Sequence, residues 1–281
     1  ANLTLSSGSA SYGGVISGTG RLIKTGSGTQ TLTAANTYSG GTAITNAGIL
    51  AAADNALGTG GIYVSTNGTL QLGNGAADGL VPQAYLTNVS GTLSVYPANS
   101  YTFTNQIVST NGSFIKLIGN TTALTITNGN PNMTGAASIQ QGSIVISHPN
   151  ALGTGSITVG NVVPGDCFLG LAGGINVTNP ITLSGKTGAL NPSPVGLDSQ
   201  SGTNALYGNI TLTGSTLWSI GTETGSKLII NSTFVNSGPV GGQQLNLRGT
   251  GEGVINKPLI NGAGNTLTVS IEDAGQWKLT A

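Results

Sequence analysis

The feature that most constrains the fold is the stretch at residues 14–72, where short alternating segments are separated by clusters of Gly, Asn, Ser and Thr. Apolar residues stand two apart in segments such as Ile62-Tyr63-Val64 and Leu70-Gln71-Leu72. A period of two places successive side chains on opposite faces of a β-strand, and glycine-rich clusters mark tight turns. The stretch therefore predicts many short strands joined by tight turns, and no part of it has helical spacing.

Residues 14–72 resemble the autotransporter-associated β-strand repeat, also called the passenger-associated transport repeat. The resemblance rests on short sequence motifs that occur in the same order as in the family: Gly18-Thr19-Gly20, Lys24-Thr25-Gly26, Leu32-Thr33, Ala35-Asn36-Thr37-Tyr38-Ser39-Gly40-Gly41-Thr42, Ala47-Gly48, Ala56-Leu57-Gly58 and Gly68-Thr69-Leu70. Members of this family are secreted bacterial right-handed parallel β-helices. The resemblance implies an extracellular structural solenoid at the bacterial cell surface, and it implies no catalytic residue.

The composition is compatible with a folded solenoid. The chain has 281 residues, of which 37% are apolar, 6% are charged and 47 are glycine. So many glycines with so few charges would suggest disorder if the apolar residues did not alternate. We expect residues 1–281 to form a single elongated all-β domain, a right-handed parallel β-helix (β-solenoid).

Charge and cysteine content exclude several classes of function. Eight basic and eight acidic residues are scattered singly, so the sequence lacks the basic patch that nucleic-acid binding requires. No stretch is long and apolar enough to span a membrane, so we expect no membrane insertion by this chain. The start at Ala1 is compatible with cleavage of a signal peptide. Cys167 is the only cysteine; we expect a small buried apolar residue, with no metal site and no cofactor.

Two further units repeat parts of the first. In residues 107–161, Phe114-Ile115-Lys116 corresponds to Leu22-Ile23-Lys24, and Leu124-Thr125-Ile126-Thr127 corresponds to the strand at Leu32. The block that begins at Asn36 is replaced there by one that begins at Asn130, with the same turn-forming residue types. Residues 251–281 resemble the opening of the first unit. A period of about 95 residues indicates that each unit spans several turns of the coil.

The two ends of the sequence also complement each other. Residues 275–281 align with residues 28–34, and Ala1-Asn2 would then continue the motif as Ala35-Asn36 do. Neither end has a capping helix, and a solenoid normally shields its terminal turns. At roughly 20 to 25 residues per turn the rod would be on the order of 50 to 60 Å long. A head-to-tail contact that does not close produces a filament, so we expect self-assembly through Ala1, Asn2, Leu3, Leu5, Ile271, Trp277, Leu279 and Ala281.

Two other functions stay open from the sequence. The chain could be a fragment of an autotransporter passenger that acts as an adhesin and binds cell-surface or matrix polysaccharide through irregular loops in the middle third of the chain. It could also be a carbohydrate-active β-helix, which needs clustered carboxylates. Glu272 and Asp273 are the only adjacent acids, and as neighbours on one strand they should point to opposite faces. The lone His148 is expected in a turn. We therefore predict no enzyme activity and no catalytic residue.

Overall fold

The computed structural model describes residues 1–83, 85–116, 122–160, 167–184 and 196–280. These residues form 31 short strands and no helix. The first sixteen strands are β1 (Leu3–Leu5), β2 (Ala10–Tyr12), β3 (Leu22–Lys24), β4 (Thr29–Leu32), β5 (Thr42–Thr45), β6 (Gly48–Ala51), β7 (Ile62–Ser65), β8 (Thr69–Leu72), β9 (Tyr85–Asn88), β10 (Thr92–Val95), β11 (Tyr101–Phe103), β12 (Gln106–Ser109), β13 (Ser113–Lys116), β14 (Ala123–Ile126), β15 (Ala137–Ile139) and β16 (Gly142–Ile146). The others are β17 (Ile157–Val159), β18 (Cys167–Leu171), β19 (Asn176–Val177), β20 (Ile181–Ser184), β21 (Leu197–Ser199), β22 (Thr203–Leu206), β23 (Ile210–Thr213), β24 (Leu217–Thr222), β25 (Lys227–Ile230), β26 (Phe234–Asn236), β27 (Gly241–Gly249), β28 (Glu252–Ile255), β29 (Leu259–Asn261), β30 (Asn265–Ile271) and β31 (Gln276–Leu279).

The strands form four parallel sheets that wind around one interior. Sheet A contains β1, β3, β5, β7, β9 and β12, and sheet C contains β11, β14, β16, β18, β21, β24, β27 and β30. Sheet D contains β19, β22, β25, β28 and β31. Sheet B runs almost the whole length with twelve strands, from β2 and β4 to β26 and β29. This arrangement confirms the predicted all-β parallel solenoid.

Each turn of the coil, or rung, visits three sides in the same order. Sheets A and D share one side, because they are linked through two irregular rungs: Met133 bridges to Ser109, and Thr154 donates its backbone N–H to the Met133 carbonyl. Sheet B is the second side and sheet C the third. Equivalent positions in sheet B lie between 19 residues (Gln30 to Ile49) and 29 residues (Ile181 to Ile210) apart. At about 4.8 Å per rung the twelve strands of sheet B extend roughly 50 Å.

The interior is a stack of equivalent positions, one from each rung. In sheet B a single inward column contains Ile49, Leu70, Leu93, Phe114, Ala137, Ile157, Ile181, Ile210 and Phe234, all of them buried. The alternation in the sequence predicted this arrangement, because every second residue of a strand faces the same side. The repeat residue Tyr38 and Trp218 are also buried, so both belong to the core. The Tyr38 hydroxyl lies 2.6 Å from Thr42 Oγ1, and burial raises its pKa to about 12.

Buried asparagines connect consecutive rungs where the chain has no regular strand. Asn36 Oδ1 accepts the Ile16 backbone N–H at 2.7 Å from the preceding rung, and Asn36 Nδ2 donates to the Ala56 carbonyl of the following rung at 2.5 Å. Asn130 makes the same two contacts, with the Ile107 N–H at 2.7 Å and the Ala151 carbonyl at 2.6 Å. The replaced sequence block at Asn130 therefore keeps the hydrogen-bonding role of the original.

The matching parts of residues 14–72 and 107–161 lie on different sides of the coil. Leu22 belongs to β3 in sheet A, whereas its counterpart Phe114 belongs to β13 in sheet B. Leu32 lies in β4 of sheet B, whereas its counterpart Leu124 lies in β14 of sheet C. The order of strands and turns is thus preserved, but the second unit is rotated by one side, a third of a turn.

Glycines at the corners allow the rungs to lie directly on one another. A Cβ atom at Gly40 would collide with the Gly20 carbonyl group, and one at Gly135 would collide with the Gly112 carbonyl. Gly60 meets the backbone of Ser39 and Gly41 in the same way. The corner glycines are therefore required by close backbone approach.

This stacking predicts different effects for two neighbouring glycine substitutions. Gly40→Ala should lower the free energy of unfolding by about 1–3 kcal/mol, because the added methyl group separates two rungs. Gly61→Ala should change it by less than about 0.5 kcal/mol, since a Cβ there meets nothing within 4 Å. Urea denaturation followed by circular dichroism measures both; equal effects would contradict the role of Gly40.

Candidate assembly interface

The first end of the coil exposes side chains that occupy interior positions. Leu3 and Leu5 of β1 pair with Leu22 and Lys24, which are both buried and inward-facing. Leu3 nevertheless is 43% exposed, because β1 is the edge strand of sheet A in the described part of the chain. In β2, Tyr12 pairs with the buried Leu32 and is also exposed. This end therefore presents apolar side chains along the axis of the coil, next to the free edges of β1 and β2.

The other end has the same character. Ile271 is 52% exposed, although Leu247, the equivalent residue one rung earlier, is completely buried. Leu279 is 43% exposed above the buried Ile255. The inward positions of the last strands also include Leu259, Leu267 and Val269, which are half-buried against the core. The free edges of β29, β30 and β31 surround these side chains.

Trp277 covers part of this second end. It lies opposite Gly253 in the paired strand, and its indole ring fills the space where a Cβ of Gly253 would be. Its Nε1–H donates to the Arg248 carbonyl at 3.3 Å. The ring is half-buried and packs against the core. Trp277 therefore stabilises the last rung and still presents part of its ring to the end surface.

The structure places the predicted interface residues in two groups. Leu3 and Leu5 lie at one end, and Ile271, Trp277 and Leu279 lie at the other. Ala1 and Asn2 are exposed beside the first group; Asn2 Oδ1 accepts the Arg21 backbone N–H of the next rung at 3.2 Å. Ala281 lies outside the described residues. The sequence prediction missed other members of the two end surfaces, although alternation along their strands could have indicated them: Tyr12, Leu259, Leu267 and Val269.

The predicted tail-to-head register stays a prediction, because it describes a contact between two copies of the chain. Residues 28–34 contain β4 of sheet B, but residues 275–280 contain β31 of sheet D. Ala1 and Asn2 precede β1 on the side of sheet A, whereas Ala35 and Asn36 lie on the side that sheet C occupies later. The two segments have similar sequences because they share a strand-and-turn pattern, which occurs on all three sides of the coil.

The two adjacent acids do not point apart as predicted. Glu272 Oε2 lies 3.1 Å and Asp273 Oδ2 lies 3.4 Å from Arg248 Nε. Asp273 follows the end of β30 and has a φ of 66°, which turns its side chain back toward the same arginine. One cation thus neutralises both acids at the rim of the second end.

His148 and Cys167 are the two other side chains considered from the sequence, and each contacts its own part of the coil. His148 lies in a turn, as expected, and its Nδ1 accepts the Asn150 backbone N–H at 3.1 Å. Cys167 is half-buried against the core, and burial raises the pKa of its thiol to about 11. The described residues contain no group of three or more His, Cys, Asp or Glu side chains that could hold a metal ion. The described part of the chain also has no helix long and apolar enough to cross a membrane.

A shallow polar groove of about 480 Å³ runs across sheet D, along the first residues of its successive strands. Its side chains occupy one register position on four successive rungs, in the order Thr203, Lys227, Glu252 and Gln276. Lys227 Nζ and Glu252 Oε2 lie 3.1 Å apart, and both side chains are substantially exposed. The groove could contact an uncharged polar ligand along the side of the rod.

Comparison with known proteins identifies the repeat. Residues 22–52 match the passenger-associated-transport-repeat family. The chain carries a passenger-associated transport repeat. The match lies within the first sequence unit and includes β3 to β6, the Asn36 contacts and the Gly40 corner. Together with the parallel solenoid it fits the autotransporter-associated repeat family expected from the sequence. No curated protein and no solved structure matches this chain.

Asp198 is the buried acid of sheet C. It is 4% exposed, it pairs with Gly170 and Gly221 on the two neighbouring rungs, and its Oδ1 has no hydrogen-bond partner. Burial, and to a smaller extent the Glu223 carboxylate, raise its pKa to about 6, while a hydrogen bond with Gln200 opposes this rise. Asp198 thus keeps its proton to a higher pH in the folded chain than in the unfolded one.

This raised pKa predicts a loss of stability as the pH rises. Between about pH 4 and pH 6 the unfolded chain releases the Asp198 proton while the folded chain retains it, so the free energy of unfolding falls across this window. Asp198→Asn should remove much of this fall, whereas Glu252→Gln, which changes an exposed acid, should leave it unchanged. Urea denaturation at pH 4, 5, 6 and 7 measures the slope; equal slopes for wild type and Asp198→Asn would contradict the assignment.

Proposed function

We propose that this chain is a non-enzymatic structural protein of the bacterial cell surface that assembles end to end through its two end surfaces. The passenger-associated transport repeat implies secretion or surface exposure, since its family is associated with autotransporter passenger domains. The observation that carries the assembly proposal is the exposure of inward-facing apolar side chains at both ends. Leu3 at one end and Ile271 at the other occupy positions that are buried in the adjacent rung.

Stacking would satisfy two requirements at once. Full burial of one Leu or Ile side chain contributes about 1.5–3 kcal/mol, and each end has several that are only partly covered. The free edges of β1 and β31 also have backbone N–H and C=O groups that can pair with another parallel strand, as in β-augmentation. A second copy supplies both an apolar end surface and free parallel edges.

A second candidate function is an adhesin that binds polysaccharide. The groove lined by Thr203, Lys227, Glu252 and Gln276 supports it, because these side chains offer donors and acceptors at every rung. A carbohydrate-active enzyme has less support. The adjacent acids Glu272 and Asp273 both contact Arg248, and the buried Asp198 lies between two glycines.

The assembly proposal predicts that charge at an end surface prevents polymerisation. Negative-stain microscopy over a concentration series should show unbranched fibres of the wild-type chain. Leu3→Glu and Leu279→Glu should each raise the concentration needed for fibres at least about tenfold, because the interface would bury an unpaired carboxylate.

The matched control is Leu217→Glu. Leu217 lies in β24, away from both ends, points outward and is 37% exposed, close to the exposure of Leu279. This variant should form fibres at the wild-type concentration, and circular dichroism should show that all three variants remain folded. Isolated rods of the wild-type chain at every concentration would contradict end-to-end assembly and favour the adhesin.

A further inference from the structure

The outward face of sheet C carries a buried carboxyl group at Asp198. This residue lies between Leu197 and Ser199, which are completely buried and face the interior, so its own side chain points outward. Its partners on the two neighbouring rungs are Gly170 and Gly221. Since neither glycine has a side chain, the space beside the carboxyl group is left to side chains from other positions of the coil.

Two further side chains with oxygen atoms lie next to Asp198. Gln200 and Glu223 each follow the last inward residue of their strands, β21 and β24, so both leave the coil on its outward side, one rung apart. The Gln200 side chain turns back over Gly170, where a Cβ would lie 3.2 Å from Gln200 Oε1. Gln200 also forms a hydrogen bond with Asp198, and the Glu223 carboxylate is close enough to raise the pKa of Asp198. One amide and two carboxyl groups therefore meet at this point.

The Asp198 carboxyl group has an oxygen that the fold leaves unused. Its side chain is 4% exposed, and Oδ1 has no hydrogen-bond partner among the described residues. Buried polar atoms in folded proteins are normally matched by a protein group, a water molecule or an ion. Arg248, the basic residue of the same outward column, pairs with Gly221 and contacts Glu272 and Asp273 instead. Asp198 Oδ1 is thus available to a ligand.

We infer that Asp198, Gln200 and Glu223 form a binding site for a calcium ion on the outward face of sheet C. Carboxylate and amide oxygens are the donors that Ca²⁺ prefers, and Ca²⁺ accepts an irregular arrangement that water completes. Mg²⁺ fits less well, because it requires near-ideal octahedral geometry and releases its water reluctantly. The ion reaches the buried Asp198 from solvent by way of the exposed Glu223 and the half-buried Gln200.

The number of carboxylates sets the strength of the site. With two of them, the dissociation constant should lie in the range of weak extracellular calcium sites, on the order of 10⁻⁴ to 10⁻³ M. Calcium at about 10 mM should then lower the unfolding equilibrium constant roughly 10- to 100-fold, because the ion binds the folded chain only. This effect is independent of end-to-end assembly.

Urea denaturation at pH 7, followed by circular dichroism in calcium chloride or in EDTA at equal ionic strength, measures this change. Asp198→Asn keeps the shape of the side chain and removes its charge, so the calcium effect should fall below about twofold. Glu223→Gln should weaken calcium binding at least about threefold. The matched control Glu252→Gln removes an exposed acid of sheet D and should respond like the wild type. Magnesium chloride at the same concentration should have a much smaller effect than calcium.

The pH dependence separates this site from calcium binding by ordinary surface acids. Burial and Glu223 raise the pKa of Asp198 to about 6, so at pH 5 the ion must displace a proton that the folded chain holds. Calcium affinity should therefore be roughly tenfold lower at pH 5 than at pH 7. Exposed carboxylates with a pKa near 4 are ionised at both values and would show little change.

Several outcomes would overturn the calcium site. If calcium does not stabilise the wild-type chain, Asp198 is a buried acid without an ion. An equal calcium response in Asp198→Asn would show that the ion binds elsewhere, and an equal response to magnesium would contradict a site for calcium. If Asp198→Asn does not fold, the exposed Glu223→Gln decides, because a response equal to that of the wild type would exclude the site.

Discussion

The solenoid depends on hydrogen bonds made by buried side-chain amides. Where the regular strands are interrupted, these amides connect each rung to the rungs on both sides. Asn36 and Asn130 each accept a backbone N–H from the preceding rung and donate to a carbonyl of the following one. A buried backbone group without a partner costs about 1–3 kcal/mol, so an interrupted strand needs such a substitute. At Asn130 these contacts lie between the last strand of sheet A and the first strand of sheet D, so the rungs stay stacked where the two sheets are interrupted.

Much of the fold followed from the sequence, because strand periodicity and turn residues act locally. The alternation in residues 14–72 predicted inward columns such as Ile49 and Leu70, and the glycine clusters marked corners where one backbone meets another. The side on which a segment lies could not be predicted in this way. Strands on all three sides have the same alternation. The sequences of residues 28–34 and 275–281 are therefore similar, although β4 belongs to sheet B and β31 to sheet D.

The interface prediction was incomplete for a related reason. The motif identified Leu3, Ile271 and Leu279, whose inward positions follow from alternation, but it missed Tyr12 and Leu259 on neighbouring sides of the same ends. The alternation of side chains along a strand could not predict the orientation of Asp273. This residue lies past the end of β30 and has a left-handed backbone conformation. The burial of Lys24 could likewise not be predicted, because a charged side chain is expected at the surface. Its ammonium group donates to the Thr25 and Ser27 carbonyls.

The function we propose uses at the ends the same physics that holds the rungs together in the middle: parallel backbone pairing around an apolar column. The most direct measurement is backbone hydrogen exchange, followed by mass spectrometry below and above the concentration at which fibres form. The account predicts that protection increases in β1, β2 and β29–β31 on assembly, while the central strands β16–β18 keep theirs. Unchanged exchange at both ends in a sample that contains fibres would contradict assembly through the ends of the coil.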